Sequence, residues 1–343
     1  MSDNLKKNAN GEDAMAPHLK GAGMRTRLVQ IDGALPNLAL MKLASWHRSQ
    51  GHEVCLTREV GRGISDRDFD LVYGSSIFQF SEKRRDMFQE AWPSAIVGGT
   101  GTDNTGTVEE LIGGPWDQLD YSDYPEVDYS LGFTQRGCRL KCGFCVVPKK
   151  EGANRSTSTI AEIWRGPGHP KKLHLLDNDF FGQPGWRDRV AEIREGGFRI
   201  CLSQGINVRL LDDDAAQALA TIEYRDTKFE RRRLYTAWDN LRDEEIFFAG
   251  VDRLERAGIP PRHLMVYMLI GFDPSETWDR IWHRFNRMVE RGVKPYPMVF
   301  DRSRKDLTAF QRWVVMGLYR IVPFSSYNQG PQNAESILAY LLS

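Results

Sequence analysis

The 343-residue sequence has no net charge and few cysteines, and both shortages exclude classes of protein. Lysine plus arginine equals aspartate plus glutamate, at 46 each, so no global field attracts the chain to nucleic acid. The five cysteines are an odd number with three clustered, which is not a disulfide framework. In a reducing compartment, clustered thiols more often bind a metal.

The sequence also lacks a long apolar run. None approaches the roughly 20 residues that a membrane-spanning helix needs, so we expect no membrane association. Residues 1–23 are polar, without the apolar core of a secretory signal, and are expected to form a disordered tail. With 41% hydrophobic and 27% charged residues, the composition is that of a globular protein, which we expect to be cytoplasmic.

Strand-like and helix-like segments alternate over residues 24–113, which predicts a small, Rossmann-like parallel α/β domain. The strand-like segments are 25–33, 53–57, 69–74 and 94–99, and the helix-like ones are 36–50 and 81–92. The glycine-rich stretch 98–106 matches no dinucleotide or P-loop fingerprint. We interpret it as a strand-end loop, with phosphate binding as the alternative, and expect Thr107 and Glu110 to form a capping box. His47 and His52 are expected on the surface.

Residues 114–128 are rich in Asp, Tyr and Pro without helical periodicity, and we interpret them as a linker. Strand-like segments then alternate with helix-like ones over residues 129–301: 129–134, 173–181, 198–211, 232–240, 263–273 and 295–301. This alternation predicts a partial (β/α)6 barrel of the TIM type, with its active site at the carboxyl ends of the strands. Residues 302–343 are expected to form a C-terminal helical extension.

Three of the five cysteines lie close together at C-x3-C-x2-C spacing, just after the first strand of this set: Cys138, Cys142 and Cys145. Thiolates are soft ligands suited to iron–sulfur clusters or zinc. Three local cysteines would leave one iron of a 4Fe–4S cluster open for a substrate or cofactor. A structural zinc site normally has four ligands. His169 or His174 would have to supply the fourth, and neither has zinc-finger spacing.

This motif, with Phe144 directly before the last cysteine and a run of βα units behind it, resembles the signature of the radical S-adenosylmethionine (radical SAM) superfamily. The resemblance covers about 129–300. The preceding α/β domain is similar to the cobalamin-binding-type domain of one branch. The sequence argues against cobalamin itself, because no His follows Asp32 and Gly33 at the spacing of the D-x-H-x-x-G cobalt-ligand element.

The resemblance implies that Cys138, Cys142 and Cys145 hold a 4Fe–4S cluster whose open iron binds S-adenosylmethionine. The reduced cluster would cleave this cofactor to methionine and a 5′-deoxyadenosyl radical, which abstracts a hydrogen atom from the substrate. A one-electron reductant such as flavodoxin or ferredoxin is implied as a partner. The substrate is open between a nucleotide or base, a peptide and a small metabolite, and no catalytic residue is assigned. Cys55 and Cys201 are too few for a second cluster and are expected to be buried.

The same resemblance places contacts to S-adenosylmethionine after successive strands. Asp177 and Asn178 end the second strand, where an acceptor would take the methionyl amino group. Gln204, Asn207 and Arg209 follow the third strand, and Arg209 is expected to bind the methionyl carboxylate through two hydrogen bonds.

Contacts to the adenosine part are expected further along the chain. Asp239 and Asn240 end the fourth strand, where they would hydrogen-bond the ribose hydroxyls. The backbone around Ile270 on the fifth strand would lie against the adenine, and Phe144 is also placed in the cofactor site. The alternative for each polar residue is an ordinary turn or helix cap, since Asp and Asn favour both.

Two other functions stay open. One is methyl transfer by a cobalamin-dependent radical SAM enzyme. The other is a metal-stabilised module that binds nucleic acid through basic and aromatic residues near the C-terminus: Arg302, Arg304, Lys305, Arg312, Trp313 and Arg320. The alternative for this stretch is a solvated face of the last helix.

Overall fold

The computed structural model describes residues 23–63, 66, 68–104 and 106–327, so most of the expected N-terminal tail lies outside the described residues. The described chain combines α-helices with mostly parallel strands, which confirms the predicted mixed α/β class. It divides into two compact units between Val127 and Asp128. Within the part of the chain that the structure describes, no helix is long and apolar enough to cross a membrane.

The first unit contains a parallel sheet with helices on both faces. Its strands are β1 (Arg25–Gln30), β2 (Glu53–Thr57), β3 (Leu71–Ser75) and β4 (Ile96–Gly98), in the order β2-β1-β3-β4. Its helices are α1 (Leu38–Ser49), α2 (Glu82–Ala91) and α3 (Val108–Ile112). Leu28 of β1 packs in a cluster with residues of α1 and α3, whereas Val29 packs in another with Phe88 of α2. Successive side chains of a strand point to opposite faces, so both faces of this sheet are covered.

His47 and His52 are buried, so the prediction that both lie on the surface is wrong. His47 is on the inner side of α1, and its Nδ1 lies 2.8 Å from the Nδ1 of His52. Its Nε2 lies 3.3 Å from the Tyr73 hydroxyl. Burial, reinforced by His52, lowers the pKa of His47 to about 3, so this ring is neutral near pH 7.

The glycines after β4 allow a close approach between two loops. A Cβ on Gly99 would lie 2.3 Å from the carbonyl oxygen of Ser76, and the residue has a φ of +109°. A Cβ on Gly101 would also meet the backbone of the loop after β3, at 2.6 Å. This packing explains the glycines as parts of a strand-end loop. Thr107 and Glu110 form the predicted capping box of α3.

The segment after α3, interpreted from its composition as a linker, packs on the first unit up to Val127. Arg48 donates hydrogen bonds to the carboxylates of Asp120 and Asp123. The buried Tyr124 hydroxyl donates to Gln30 at 2.8 Å. These contacts tie the segment to α1 and β1.

The second unit carries the cysteine cluster. Its strands are β5 (Ser130–Gly132), β6 (Gln135–Arg136), β7 (Arg155–Ser156), β8 (Lys172–Leu175), β9 (Arg199–Cys201), β10 (Glu223–Tyr224), β11 (Leu234–Ala237), β12 (Leu264–Ile270) and β13 (Lys294–Val299). Its helices are α4 (Val147–Lys150), α5 (Ile160–Ile163), α6 (Trp186–Gly196), α7 (Asp213–Ala220), α8 (Glu244–Arg256), α9 (Trp278–Glu290), α10 (Lys305–Val315) and α11 (Phe324–Tyr327).

Two parallel sheets organise this unit within the described residues. One has the order β5-β8-β9-β10 and the other β11-β12-β13, while β6 and β7 pair antiparallel. The amide of Ile206, after β9, donates to the carbonyl of Tyr235 in β11 at 2.7 Å, between the two sheets. Side chains of both sheets and of the helices after them share one apolar core. Because paired strands are parallel, the carboxyl ends of each sheet lie along one edge.

The two cysteines outside the cluster differ in exposure. Cys201 is fully buried in β9 next to Tyr235, which confirms its prediction. Cys55 is exposed, so its predicted burial is wrong. The reason is that β2 is an edge strand of the first sheet.

Candidate functional site

The clustered cysteines lie on a loop that leaves the second unit after β6 and returns through β7. The antiparallel pairing of β6 with β7 closes the base of this cysteine loop (residues 137–154). Gly137 opens it with a φ of +81°, and a Cβ there would lie 2.3 Å from the carbonyl oxygen of Ala153. Glycine is therefore required at this position by both the backbone conformation and the space.

The three thiols of the loop are half-buried. The amide of Leu140 donates to Cys138 Sγ at 3.4 Å, and the amide of Cys145 donates to the carbonyl of Cys142 at 3.0 Å. Burial raises the pKa values of Cys138 and Cys142. Over the described ranges, no group of three or more Cys, His, Asp or Glu side chains is arranged to hold a metal ion.

An iron–sulfur cluster and a single metal ion require different arrangements of the ligand atoms in such a loop. The ligands of a zinc ion must converge on one point, with sulfur about 2.3 Å from the metal. The cysteines of a 4Fe–4S cluster bind different irons, so their sulfurs need not converge. The three thiols are not arranged around one ion, which a cluster tolerates and a zinc ion does not. The amide directed at Cys138 Sγ is a contact that an iron–sulfur cluster can use. Of the two possible zinc ligands, His169 is exposed and His174 is buried, with its Nε2 2.6 Å from the Ser203 hydroxyl.

Asp179 fastens the cysteine loop to the segment after β8. Its Oδ2 accepts from Nε of Arg139 at 2.7 Å, and its Oδ1 accepts from Nη2 of the same guanidinium at 3.0 Å. Asn154, at the far end of the loop, donates to Oδ2 at 3.2 Å. One buried carboxylate therefore holds both ends of the loop. Asp179 was not predicted as a site residue, although it directly follows the predicted Asn178.

Gln135 is a second residue that sequence analysis missed. Its Nε2 donates to the carbonyl of Gly137 at 2.6 Å and to Oδ1 of Asn154 at 3.0 Å. Its Oε1 accepts from the Asp179 amide at 3.0 Å. The side chain is fully buried, so this amide crosslinks the base of the loop with the segment after β8.

The predicted residues Asp177 and Asn178 both contact the chain around the cysteine loop. Asp177 Oδ1 accepts from the amides of Thr134 at 2.8 Å and Gln135 at 3.2 Å, and its Oδ2 accepts from the Thr134 hydroxyl. Burial raises the pKa of Asp177 to about 7 despite these donors. Asn178 donates to Glu151 in the loop at 3.1 Å. Their contacts with the methionyl amino group stay a prediction.

Arg209 lies beside Cys142. Burial raises the pKa of the Cys142 thiol, and the positive charge of Arg209 lowers it. The Nε of Arg209 donates to Oδ1 of Asn207 at 3.2 Å, and its Nη1 donates to Asp243 at 2.5 Å. The structure thus places the predicted Arg209 at Cys142. The predicted Asn207, and Asp243, which was not predicted, accept hydrogen bonds from its guanidinium. Gln204 is exposed in the loop after β9.

The residues predicted to contact ribose follow β11. Asp239 Oδ1 accepts from the Leu269 amide at 2.9 Å, and burial raises the pKa of this carboxyl. Its charge also raises the pKa of the Cys142 thiol, which places Asp239 in the same electrostatic environment as the cysteine loop. The carbonyl of Asn240 accepts from the Trp238 indole at 2.7 Å.

Phe144 extends from the cysteine loop to the segment after β12. Its ring centroid lies 5.5 Å from that of Phe272 in an edge contact, and Phe272 lies 4.9 Å from Phe300. Ile270 is buried, and its carbonyl accepts from the Phe300 amide at 3.0 Å. Phe144 and the end of β12 are therefore joined through aromatic side chains, two of which are exposed.

Arg284 of α9 fixes the ends of β11 and β12. Its Nη1 donates to the carbonyls of Trp238 and Asp239, each at 3.1 Å. Its Nη2 donates to the carbonyl of Leu269 at 3.0 Å and to the carboxylate of Glu276. Both charged side chains are buried. This pair was not predicted, and it supports the segment that carries the predicted ribose contacts.

Comparison with known proteins adds no relative. No family model, curated protein or solved structure matches this chain. The interpretation of the site therefore rests on the cysteine loop and on the residues that surround it.

The basic and aromatic stretch near the C-terminus is only partly suited to nucleic acid. Trp313 is buried, and its indole donates to the carbonyl of Val322 at 2.7 Å, so it is not available to stack on a base. Arg304 is paired with Asp306 at 2.7 Å. Arg320 instead lies over the ring of Tyr319, 4.8 Å from its centroid.

Proposed function

We propose that this chain is a radical SAM enzyme in which Cys138, Cys142 and Cys145 hold a 4Fe–4S cluster that binds S-adenosylmethionine. When bound, the cluster supplies the electron that cleaves this cofactor reductively, with flavodoxin or ferredoxin as the class of reductant. The reaction on the substrate then starts with abstraction of a hydrogen atom. The observation that carries the proposal is the placement of Arg209 beside Cys142. Cys142 belongs to a C-x3-C-x2-C loop that comes after the parallel strand β5 and is closed at its base by β6 and β7.

The proposal includes a partial barrel formed by β5, β8, β9, β11, β12 and β13. Two observations support it. Of these strands, β5, β8 and β9 are neighbours in chain order in one sheet, and β11, β12 and β13 are neighbours in chain order in the other. The hydrogen bond between Ile206 and Tyr235 lies between the two sheets. In a barrel of parallel strands, all carboxyl ends open on one rim. That arrangement would gather Asp177, Asp239 and Ile270 around the cysteine loop.

The chain's own residues have distinct tasks in this proposal. Asp179 holds the cysteine loop in one conformation through its hydrogen bonds at both ends. Arg209 supplies a guanidinium that matches the methionyl carboxylate of S-adenosylmethionine. Among the described residues, Asp239 accepts a hydrogen bond through Oδ1, and its carboxylate retains lone pairs for a hydroxyl group. Phe144 and Phe272 provide apolar surface that excludes water from the reacting groups.

Cobalamin is left out of the proposal. Asp32, where the cobalt-ligand element would begin, accepts hydrogen bonds from the Ser76 hydroxyl at 2.9 Å and the Ile77 amide at 2.7 Å. The carboxylate thus caps the loop after β3. A difference spectrum after incubation with hydroxocobalamin tests this choice, and we expect no bound corrinoid.

Anaerobic reconstitution with ferrous iron and sulfide tests the proposed function. We expect a brown protein with about four irons per chain that releases 5′-deoxyadenosine from S-adenosylmethionine under reduction. Cys142→Ala should lose both the iron and the cleavage. Cys55→Ala is the matched control, since this cysteine is exposed in the first unit, and it should retain both. A colourless zinc protein, or iron retained by Cys142→Ala at the wild-type level, would refute the proposal.

A further inference from the structure

A cavity of about 350 Å³ lies at the amino-terminal ends of β11, β12 and β13, opposite the ends that carry Asp239 and Ile270. Its wall combines cationic side chains with an aromatic ring and apolar groups: Arg233, Arg262, Lys294, Arg320, Tyr319 and Val289. This volume is in the range of small-molecule sites, which is roughly 300–1,000 Å³.

Strand register brings the cations together. Leu234 pairs with Leu264 in the β11–β12 ladder, and Met265 pairs with Lys294 in the β12–β13 ladder. Arg233 directly precedes the first of these strands, and Arg262 lies two residues before the second. The guanidinium of Arg233 donates to the carbonyl of Arg262 at 3.1 Å, which fixes one side of the cavity.

No carboxylate of the described residues forms an ion pair with these cations. Within the described ranges, the structure records no ion pair for Arg233, Arg262, Lys294 or Arg320, whereas other arginines of this unit form many. Burial lowers the pKa of Lys294, and the neighbouring charges of Arg233 and Arg320 lower it further. Folding has therefore gathered like charges at a cost, and a bound anion would offset that cost.

We propose that this cavity binds the phosphate group of a small phosphorylated molecule, with Arg262 and Arg320 donating to the phosphate oxygens. Guanidinium groups match phosphate geometry through paired N–H donors. Val289, exposed at 39%, and Tyr319 provide a wall against which an organic part can pack. The inference is independent of the proposed function, because it uses the opposite ends of the strands.

Isothermal titration calorimetry at low salt, with pyrophosphate and adenosine diphosphate as probes, tests this site. The Arg262→Gln/Arg320→Gln variant removes two exposed cations of the cavity, and both side chains can change without opening the core. The Arg242→Gln/Arg312→Gln variant removes two exposed charges outside the cavity and is the matched control. We expect saturable binding to the wild type, weakened about tenfold or more in the cavity variant and unchanged in the control.

The two probes separate the possible sources of the phosphate. Adenosine diphosphate binding more tightly than pyrophosphate indicates an organic phosphate that uses the wall at Tyr319, whereas equal affinity indicates recognition of the phosphate alone. Lys294→Met should weaken phosphate binding. It should not lower the midpoint of unfolding, because it removes one of several positive charges that repel one another. Absence of saturable binding, or equal weakening in cavity and control variants, would overturn the proposal. Tighter binding of a single-stranded oligonucleotide than of either probe would overturn it as well.

Discussion

Arg139 and Asp179 form a two-point ion pair between the cysteine loop and the segment after β8, with N–O distances of 2.7 and 3.0 Å. The backbone amide of Arg139 donates to the same carboxylate at 3.2 Å. Because Arg139 directly follows Cys138, the pair fixes the chain direction at the first cysteine. A bidentate pair of this kind adds orientation as well as energy.

Asp179→Asn should loosen the loop while retaining the shape of the side chain. We expect a loss of about 1–2 kcal/mol in the free energy of unfolding, kept modest because the Arg139 side chain is 37% exposed. Iron should also leave the reconstituted variant faster in the presence of a chelator. Urea unfolding and iron release measure the two effects.

The control for this variant is Asp214→Asn, whose partner Arg187 is exposed. Side-chain exposures of 59% and 62% make that pair a surface interaction, which is typically worth under about 1 kcal/mol. Equal iron release from both variants would contradict the assigned role of Asp179.

Gly137 and Gly152 provide a matched pair of substitutions in the cysteine loop. Both have positive φ, +81° and +72°, which costs a residue with a side chain about 1–2 kcal/mol. At Gly137 the added Cβ also meets the Ala153 oxygen at 2.3 Å, whereas nothing lies within 4 Å at Gly152. Gly137→Ala should therefore lose iron binding, and Gly152→Ala should retain it. Similar iron content in the two reconstituted variants would show that the close approach at Gly137 is not needed.

The alternation of strands and helices was predictable because hydrophobic periodicity is a local signal. The burial of His47 follows from the same signal. This histidine lies in the same i, i+3, i+4, i+7 stripe as Leu40, Leu43 and Ala44, so its burial could have been predicted from the helix. The exposure of Cys55 could not be predicted from the sequence, because it depends on the strand order, which places β2 at the edge of the sheet.

The residues that hold the cysteine loop in place were less predictable than the cysteines themselves. Asp177, Asn178 and Asp179 are three consecutive polar residues, and their sequence does not show which carboxylate contacts which part of the loop. Asp179 and Arg139 are 40 positions apart, so their pairing depends on how β5 and β8 pack. Such contacts are fixed by the tertiary structure rather than by a motif.

Glu276→Gln tests the buried pair that fixes the ends of β11 and β12. Arg284 is 1% exposed and would keep its charge without a carboxylate partner, so we expect a loss of about 3 kcal/mol or more in the free energy of unfolding. Glu255→Gln, which weakens an exposed pair with Arg291, should cost under about 1 kcal/mol. Urea unfolding of both variants at pH 7 makes the comparison. Equal losses would show that burial does not strengthen the dependence on Glu276.

Burial of His47 should make the free energy of unfolding of the protein depend on pH. The His47 pKa of about 3 in the folded chain lies below the ordinary value of 6.5. Between these values the unfolded chain binds a proton that the folded chain does not. The stability that neutral His47 contributes is therefore complete above pH 6.5 and is lost as the pH falls toward 3. The slope from this one group can reach about 1.4 kcal/mol per pH unit.

His47→Gln should reduce this slope, because glutamine retains hydrogen-bonding groups but does not titrate. Urea unfolding at several pH values between 7 and 4 measures the slope for the wild type and the variant. His169→Gln is the control, since it replaces an exposed histidine instead of a buried one. His174, whose pKa burial lowers to about 4, contributes a slope of the same sign, and both variants retain it. The difference in slope between His47→Gln and His169→Gln therefore isolates the contribution of His47. A slope in His47→Gln equal to that of the wild type would contradict the burial of His47.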